Sequence, residues 1–464
     1  MDSVKNLPVA VIGAGPIGLA TAAHLLERGL EPVIFEAGPT AGAAIEQWRH
    51  IRLFSPWRFN LDDAAVRLLE PTGWESPRPT ALPYGGELID HYLTPLAATP
   101  AIGPRLQTGA RVIAVTRQGM DKTHVRDRDT TPFVVRVEHD GGEVRDHVVA
   151  AVIDASGTWS TRNPLGTSGL PAIGETTAAD RISSPLPDVI GRDRAAFAGR
   201  RVLVVGAGHS AANTLINLAD LAKEEPGTTI IWAVRGASAE KVYGGGDADG
   251  LPARGQLGSR LRRLVEAGTI ELHTSFGIAA LKTLDTHVTV EAVDGRTVET
   301  DVIVPCTGFR PDLEVLRELR LNLDPAVEAP IELGPLIDPE FHSCGTVPAH
   351  GAKVLAHPEK DFYIVGMKSY GRAPTFLLAT GYEQVRSVAA ALAGDQAAAD
   401  TVHLELPETG VCSADAGTSC DVPAAATTPK TSQEPESQGG CCAAPEPAFV
   451  GFPTGLAHGR SSDN

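Results

Sequence analysis

Hydrophobic and polar positions fall into blocks along this chain that read as strand, glycine turn and helix, and the order of blocks occurs twice. Val9 to Ile12 is an apolar run that predicts a short strand, and Leu19 to Arg28 repeats at helical spacing until Gly29 stops it. Val33 to Phe35 predicts the next strand, closed by Glu36. The second block opens at Val202 to Val205, continues in a helix to about Ala222 and ends in a strand over Thr228 to Val234, closed by Arg235. Both blocks go on to a hairpin, around Asp140-Gly141 and Asp294-Gly295, and then to an apolar strand ending at Ser156-Gly157 or Thr307-Gly308. Beyond the second block, Phe362 to Val365 predicts one more strand, Gly366 to Pro374 a polar turn, and Thr375 to Leu392 an amphipathic helix.

The turn between strand and helix is G-x-G-x-x-G in the first block (Gly13, Gly15, Gly18) and G-x-G-x-x-A in the second (Gly206, Gly208, Ala211). A side chain at Gly15 or Gly208 would stand between the backbone and a pyrophosphate, and the helix that follows supplies unpaired N–H groups and a positive dipole end. The expected fold is α/β with two Rossmann-like, doubly wound, three-layer dinucleotide-binding domains, the second inserted in the first. The expected boundaries are 7–160 with 325–395 for the first domain, 161–324 for the second, and a tail over 396–464. Glu36 lies 18 residues after Gly18, where an acid accepts from a free ribose hydroxyl, so the first site should take FAD. Arg235 stands in the matching place of the second block, where a guanidinium forks onto a 2′-phosphate, so the second site should take NADPH.

Charge narrows the partners. A formal net charge of −17 repels phosphate backbones and anionic lipid heads, which argues against a nucleic-acid partner. Leu7 to Leu26 carries no Asp, Glu, Lys or Arg and has the length of a membrane span, but its glycines and prolines favour strand, loop and helix. With no membrane span expected, a reducing cytoplasm is the expected compartment, in which the 6 cysteines form no structural bridges. From about Gly394 periodic hydrophobicity gives way to Ala, Thr, Ser, Glu and Pro. That tail is expected to be mostly disordered, with Cys412, Cys420 and the adjacent pair Cys441-Cys442 within it.

The carriers of a family resemblance are G-A-G-P-I-G at 13–18, Glu36, D-A-S-G at 154–157, G-A-G-H-S-A at 206–211, Arg235 and C-T-G-F-R-P-D at 306–312. Over residues 7–393 the chain resembles flavoproteins with two dinucleotide domains, and among them the single-component flavin monooxygenases that oxidise nitrogen, sulfur or similar soft atoms. The resemblance implies FAD held by Gly13, Gly15, Pro16, Ile17, Gly18, Glu36, Ala155, Gly157 and Gly366. It implies NADPH approached by Gly206, Gly208, His209, Ser210 and Arg235, with Gly308 also at the cofactors. HSCG at 342–345, GMKSYGRAPTFLLATGYEQVRSV at 366–388 and LPETGVCS at 406–413 look like flavoproteins encoded with bacterial arsenic-resistance genes. One departure stands out: the monooxygenase fingerprint F-x-G-x-x-x-H is not recognisable in residues 182–199.

A reduced flavin can pass electrons to a disulfide, to a quinone or metal, or to oxygen, and these acceptors differ in what they require. A disulfide relay needs two nearby thiols over the flavin, yet no cysteine precedes Cys306, and Cys344 follows it by 38 residues. Cys306 reads as a buried small residue. Cys344, with His342 beside it, is a candidate thiolate for a soft substrate, and Cys441-Cys442 a candidate chelating pair. Oxygen chemistry needs little acid or base from the protein, since an oxygen adduct of reduced flavin carries the oxidising equivalent. Trp48, Arg49, Arg52, Phe54, Trp57 and Asn60 are candidates to approach the ring, Asn60 as a hydrogen-bond donor, and the start of the helix near 375 to stabilise negative charge on it. The leading expectation is an NADPH-dependent FAD monooxygenase with oxygen and a small molecule as its partners. A flavin reductase, a flavin-based redox or metalloid sensor with a thiol tail, and a homodimer stay open.

Overall fold

In the computed structural model, which describes residues 7–244, 252–338, 347–373 and 376–404, the two blocks become two parallel sheets. The first has five strands in the order β15-β7-β1-β2-β3, with β1 Val9–Ile12, β2 Pro32–Phe35, β3 Leu106–Gln107, β7 Ala151–Asp154 and β15 Phe362–Ile364. Every residue of β1 and β7 is buried, which is why these strands are continuous apolar runs. Their register sets Val11 beside both Ile34 and Ile153.

Helix α1 (Pro16–Glu27) joins β1 to β2. It begins earlier than the apolar periodicity predicts, because Pro16 sits in the first turn with φ already fixed for a helix. It ends as expected, with Gly29 at φ +70° just beyond.

Between β3 and β7 lies an antiparallel sheet of β4 (Ala110–Arg117), β5 (Phe133–His139) and β6 (Val144–Val149). The second block repeats this plan. Its parallel sheet runs β10-β9-β8-β14, with β8 Arg201–Val205, β9 Thr229–Ala233, β10 Glu271–His273 and β14 Val302–Pro305, and helix α2 (His209–Glu224) joins β8 to β9. Its antiparallel sheet, β11 (Ile278–Thr283), β12 (Val288–Ala292) and β13 (Thr297–Thr300), again precedes the return strand. Insertion is visible in β15, which comes after the whole second block yet pairs with β7, Phe362 opposite Val152.

The chain crosses between blocks twice, and the crossings pair with each other. Asn163 N–H donates to Gly308 O at 2.9 Å and Arg310 N–H to Thr161 O at 3.0 Å, while the Trp159 and Phe309 rings lie 4.9 Å apart. Immediately after the second crossing, Leu316 and Leu319 pack in one core with Ile12, Phe35 and Val135 of the first block.

Helix α3 (Leu378–Leu392) follows β15 and packs on α1, with Tyr382 and Val385 in the same core as Ile17 and Leu19. Thr375, its expected start, lies outside the described residues, and Leu377, next to the helix, is extended at φ −104°, ψ 136°. Leu7 to Leu26 proves to be strand, loop and helix, and no helix among the described residues is long and apolar enough to cross a membrane.

Candidate functional site

Open parallel sheets bind ligands beyond the carboxyl ends of their strands, and the loops there follow from the glycines. Gly13 has φ +95°, and a Cβ on it would stand 3.0 Å from Ala155 O and Ser156 Cα, so only glycine lets the loop pass the end of β7. A Cβ on Gly18 would fall 1.9 Å from Gly13 O, so the third glycine lets α1 settle onto the loop. Gly15 is different. A Cβ there meets no atom within 4 Å, and φ of −75° suits any residue. What Gly15 leaves clear is therefore space for something other than protein. Pro16, Ile17 and Gly18 form a helix start without a side-chain cap, which leaves first-turn donors and the positive dipole end to an anion.

The second loop has the same mechanics. Gly206, at φ +130°, would put a Cβ 2.0 Å from Cys306 O, whereas a Cβ on Gly208 meets nothing within 4 Å. His209 and Ser210 open α2, again without a side-chain cap. Both loops thus fit a dinucleotide diphosphate, on space and on donors.

Glu36 braces the first loop and stays available to a ribose. Its Oε2 accepts from Ala14 N–H at 2.7 Å and its Oε1 from Gly38 N–H at 2.8 Å, which leaves further lone pairs on a carboxylate. Ala155 donates its N–H to Ile12 O at 2.9 Å, and Gly157, at φ +72°, borders open space as Gly15 does. Gly308 is exposed at the crossing, with Asn163 Nδ2 3.4 Å from where its Cβ would lie. Arg235, just past β9, is exposed and donates to Thr167 O at 3.3 Å.

Gly366 follows β15 at φ +68° and a Cβ on it would press within 3.1 Å of Ile17 Cγ1, so this loop rests on the start of α1. Its N–H donates to Gln384 Oε1 at 2.8 Å. Gln384 in turn donates to Ser369 Oγ (3.0 Å) and lies 2.8 Å from Nε2 of the buried His350, whose Nδ1 lies 3.0 Å from Pro348 O. Those partners assign Nδ1 as donor and Nε2 as acceptor, a neutral ring, and burial pushes the His350 pKa down in the same sense.

Sequence reasoning missed the ion pair beneath these loops. Lys368 Nζ donates to Asp154 Oδ2 at 2.7 Å and to Ser156 Oγ at 3.1 Å, with the Lys368 and Asp154 side chains 2% and 0% exposed. The available signal was a lysine within a run that otherwise packs, next to the Asp of D-A-S-G.

The ring-side candidates lie along one loop but turn to different partners. Trp57 is buried, Trp48 lies 6.4 Å from the Trp159 ring, and Arg49 is paired with Glu46 and Asp90. The Arg52 guanidinium sits 6.0 Å from the Tyr84 ring centroid, and Phe54 reaches across to the His209 ring at 5.1 Å. Asn60 is buried, and its amide donates to Ser55 O (2.7 Å) and Pro56 O (3.1 Å). Those bonds occupy both amide hydrogens, which makes Asn60 a brace of its own turn. His342, Cys344, Cys441 and Cys442 lie outside the described residues. Cys306 is buried, donates to Pro185 O at 3.4 Å, and burial pushes its thiol up to about 12.

Comparison with known proteins finds two family models on different parts of the chain. A family model of FAD dependent oxidoreductases matches residues 8–121, and one of pyridine nucleotide-disulphide oxidoreductases matches residues 182–331. No curated protein matches the chain in sequence. Among solved structures, bacillithiol disulfide reductase Bdr from Bacillus cereus superposes with a TM-score of 0.62 at 18% identity, over 84% of this chain and 99% of its own. Ornithine hydroxylase PvdA from Pseudomonas aeruginosa gives 0.57 at 15%, over 84% and 99%. The FAD-bound cadaverine monooxygenase DfoA from Erwinia amylovora gives 0.54 at 14%, over 82% and 93%. At such identities the structural matches establish the fold. The FAD model covers the loop of Gly13 to Gly18 and the pyridine-nucleotide model the loop of Gly206 to Ala211, so the chain is a flavin-dependent oxidoreductase that takes FAD and a pyridine nucleotide.

Proposed function

We propose that this enzyme is an NADPH-dependent FAD monooxygenase that oxygenates a soft atom, with FAD in the first block and NADPH in the inserted one. The observation that carries oxygen over a disulfide acceptor is Cys306. It is the one cysteine among the described residues, buried, with its thiol pushed up to about 12 and its carbonyl oxygen packed against Gly206. A thiol relay through it has neither a thiolate nor a path.

FAD held in the first block would supply the redox chemistry by which oxygen is activated, with electrons from a nicotinamide held in the second. The chain's own work is placement. Gly15 and Gly208 would let backbone reach the two diphosphates, Glu36 would accept from the FAD ribose, and the helix starts at Pro16 and His209 would offset phosphate charge. Gln384 and His350 hold Gly366, and with it the loop resting on Ile17, in one position. We read Arg235 as the fork for the 2′-phosphate. The substrate class we favour is nitrogen, sulfur or trivalent arsenic, the last on the strength of the runs at 342–345, 366–388 and 406–413, where His342 and Cys344 remain candidates to hold it.

Arg235→Ala tests the cofactor half of this reading. The ratio of kcat/KM for NADPH to that for NADH should fall by about ten- to a hundredfold, the value of one charge-assisted hydrogen bond. An unchanged ratio removes Arg235 from the 2′-phosphate.

A further inference from the structure

Two ions buried together are an expensive way to hold a loop. Desolvation of a carboxylate and an ammonium consumes most of their attraction, and apolar residues of like shape commonly do as well, so such a pair calls for a reason other than stability. Asp154 and Lys368 are such a pair, and their position is specific. Asp154 closes β7 at the carboxyl end of the first sheet, one residue before Ala155, whose carbonyl oxygen stands 3.0 Å from a Cβ on Gly13. Lys368 lies two residues after Gly366, in the turn that rests on Ile17 at the start of α1.

Ser156 completes a triangle. Its hydroxyl donates to Asp154 Oδ1 at 2.6 Å and accepts from Lys368 Nζ at 3.1 Å, and its N–H donates to Asp154 Oδ1 at 3.0 Å. Ser156 is itself exposed and leads into Gly157, which borders open space. One hydroxyl thus separates the two buried charges from the surface that the glycine loop shares.

We infer that Asp154 and Lys368 are positioning residues that balance charge beneath the FAD site and so set how readily the bound flavin accepts electrons. Each ion, left without its partner in this dry setting, acts on the flavin with little screening. An added electron is favoured by a lone ammonium and disfavoured by a lone carboxylate, whereas the intact pair is nearly neutral. The inference rests on FAD occupying the first block.

The test is the two-electron midpoint potential of the flavin in purified holoenzyme, by spectroscopic titration against a reference dye. Asp154→Asn, measured at pH 6, should raise the reduction equilibrium about tenfold, or ~30 mV, over wild type at the same pH. Lys368→Met, measured at pH 9, should lower it about tenfold. Asp154→Asn/Lys368→Met, which removes both charges, should return to within about threefold of wild type at either pH. Wild-type potentials in all three variants would overturn the inference, as would single variants that shift in the same direction. If one single variant loses its flavin, the sign of the other and the return in the double variant decide; loss of flavin from all three shows a merely structural pair and also overturns it. Wild-type protein purified without flavin is a different failure, that of FAD in the first block.

Discussion

Gly15→Val should yield a folded protein that carries no flavin. A Cβ at Gly15 meets no protein atom within 4 Å and its φ is −75°, so the apoprotein should lose less than about 0.5 kcal/mol. The added methyl groups instead occupy the ground over which a diphosphate approaches the start of α1. Affinity for FAD should fall by about a hundredfold or more, roughly 2.7 kcal/mol, and the stabilisation that bound flavin adds should vanish with it. Flavin absorbance per protein after purification, with circular dichroism of the apoprotein, separates the two effects. Gly18→Val gives the control: its Cβ would fall 1.9 Å from Gly13 O, so there the loop itself must break. Stoichiometric flavin in folded Gly15→Val would show that the loop of Gly13 to Gly18 does not hold the cofactor.

The largest effect on stability should come from Glu359→Ala, away from both loops. Glu359 accepts from Arg117 Nε at 2.7 Å, from Arg128 Nη2 at 2.8 Å and from the Arg320 N–H at 2.9 Å. Arg117 also lies 3.6 Å from the Phe133 ring centroid, which places the triad where the core of β4 to β6 meets the segment leading into β15. Truncation leaves two buried guanidinium ions without an anion, at a cost of about 3–5 kcal/mol. Burial alone would raise the Glu359 pKa, but hydrogen bonds from Arg128 and Arg117 prevail and hold it below its ordinary 4.5. A depressed folded value means the stabilisation is complete above about pH 4.5 and is lost as pH falls through that lower value. Denaturant midpoints of wild type and variant should therefore differ fully at pH 7 and converge in strong acid. A loss under about 1 kcal/mol at pH 7 would show the triad to be replaceable.

Much of this molecule was legible in the order of its apolar runs. β1, β7, β8 and β14 are short and apolar because both faces of a parallel sheet are covered, and the two glycine turns between strand and helix marked both loops. The repeat extended even to the hairpins at Asp140-Gly141 and Asp294-Gly295, where an aspartate and a glycine meet the needs of a tight turn. Helix starts were less legible: Pro16 opens α1 ahead of the first periodic apolar residue, and Leu377 gives no polar cap from which to read the start of α3.

Packing between distant segments left no local trace at all. Leu316 and Leu319 join the core of the first block well before the boundary expected at residue 325, since a leucine does not announce which sheet it will cover. The pairing of Lys368 with Asp154 joins residues 214 positions apart, and the Asn60 amide, a candidate ligand donor by its sequence position, is turned onto Ser55 and Pro56. Chemistry carried by a single residue in a loop depends on where that loop folds, which periodicity does not encode.

Transfer of electrons from NADPH through FAD to oxygen, for insertion into a substrate, would be visible in the flavin spectrum. Purified protein is reduced with NADPH in the absence of oxygen, oxygen is admitted, and absorbance is followed as the oxidised flavin returns. Full bleaching by about one NADPH per flavin is expected, then a spectrum unlike either the reduced or the oxidised flavin, which decays faster when an oxidisable nitrogen, sulfur or arsenic(III) compound is present. Direct return to the oxidised spectrum with release of peroxide, or no bleaching by NADPH, would contradict that expectation.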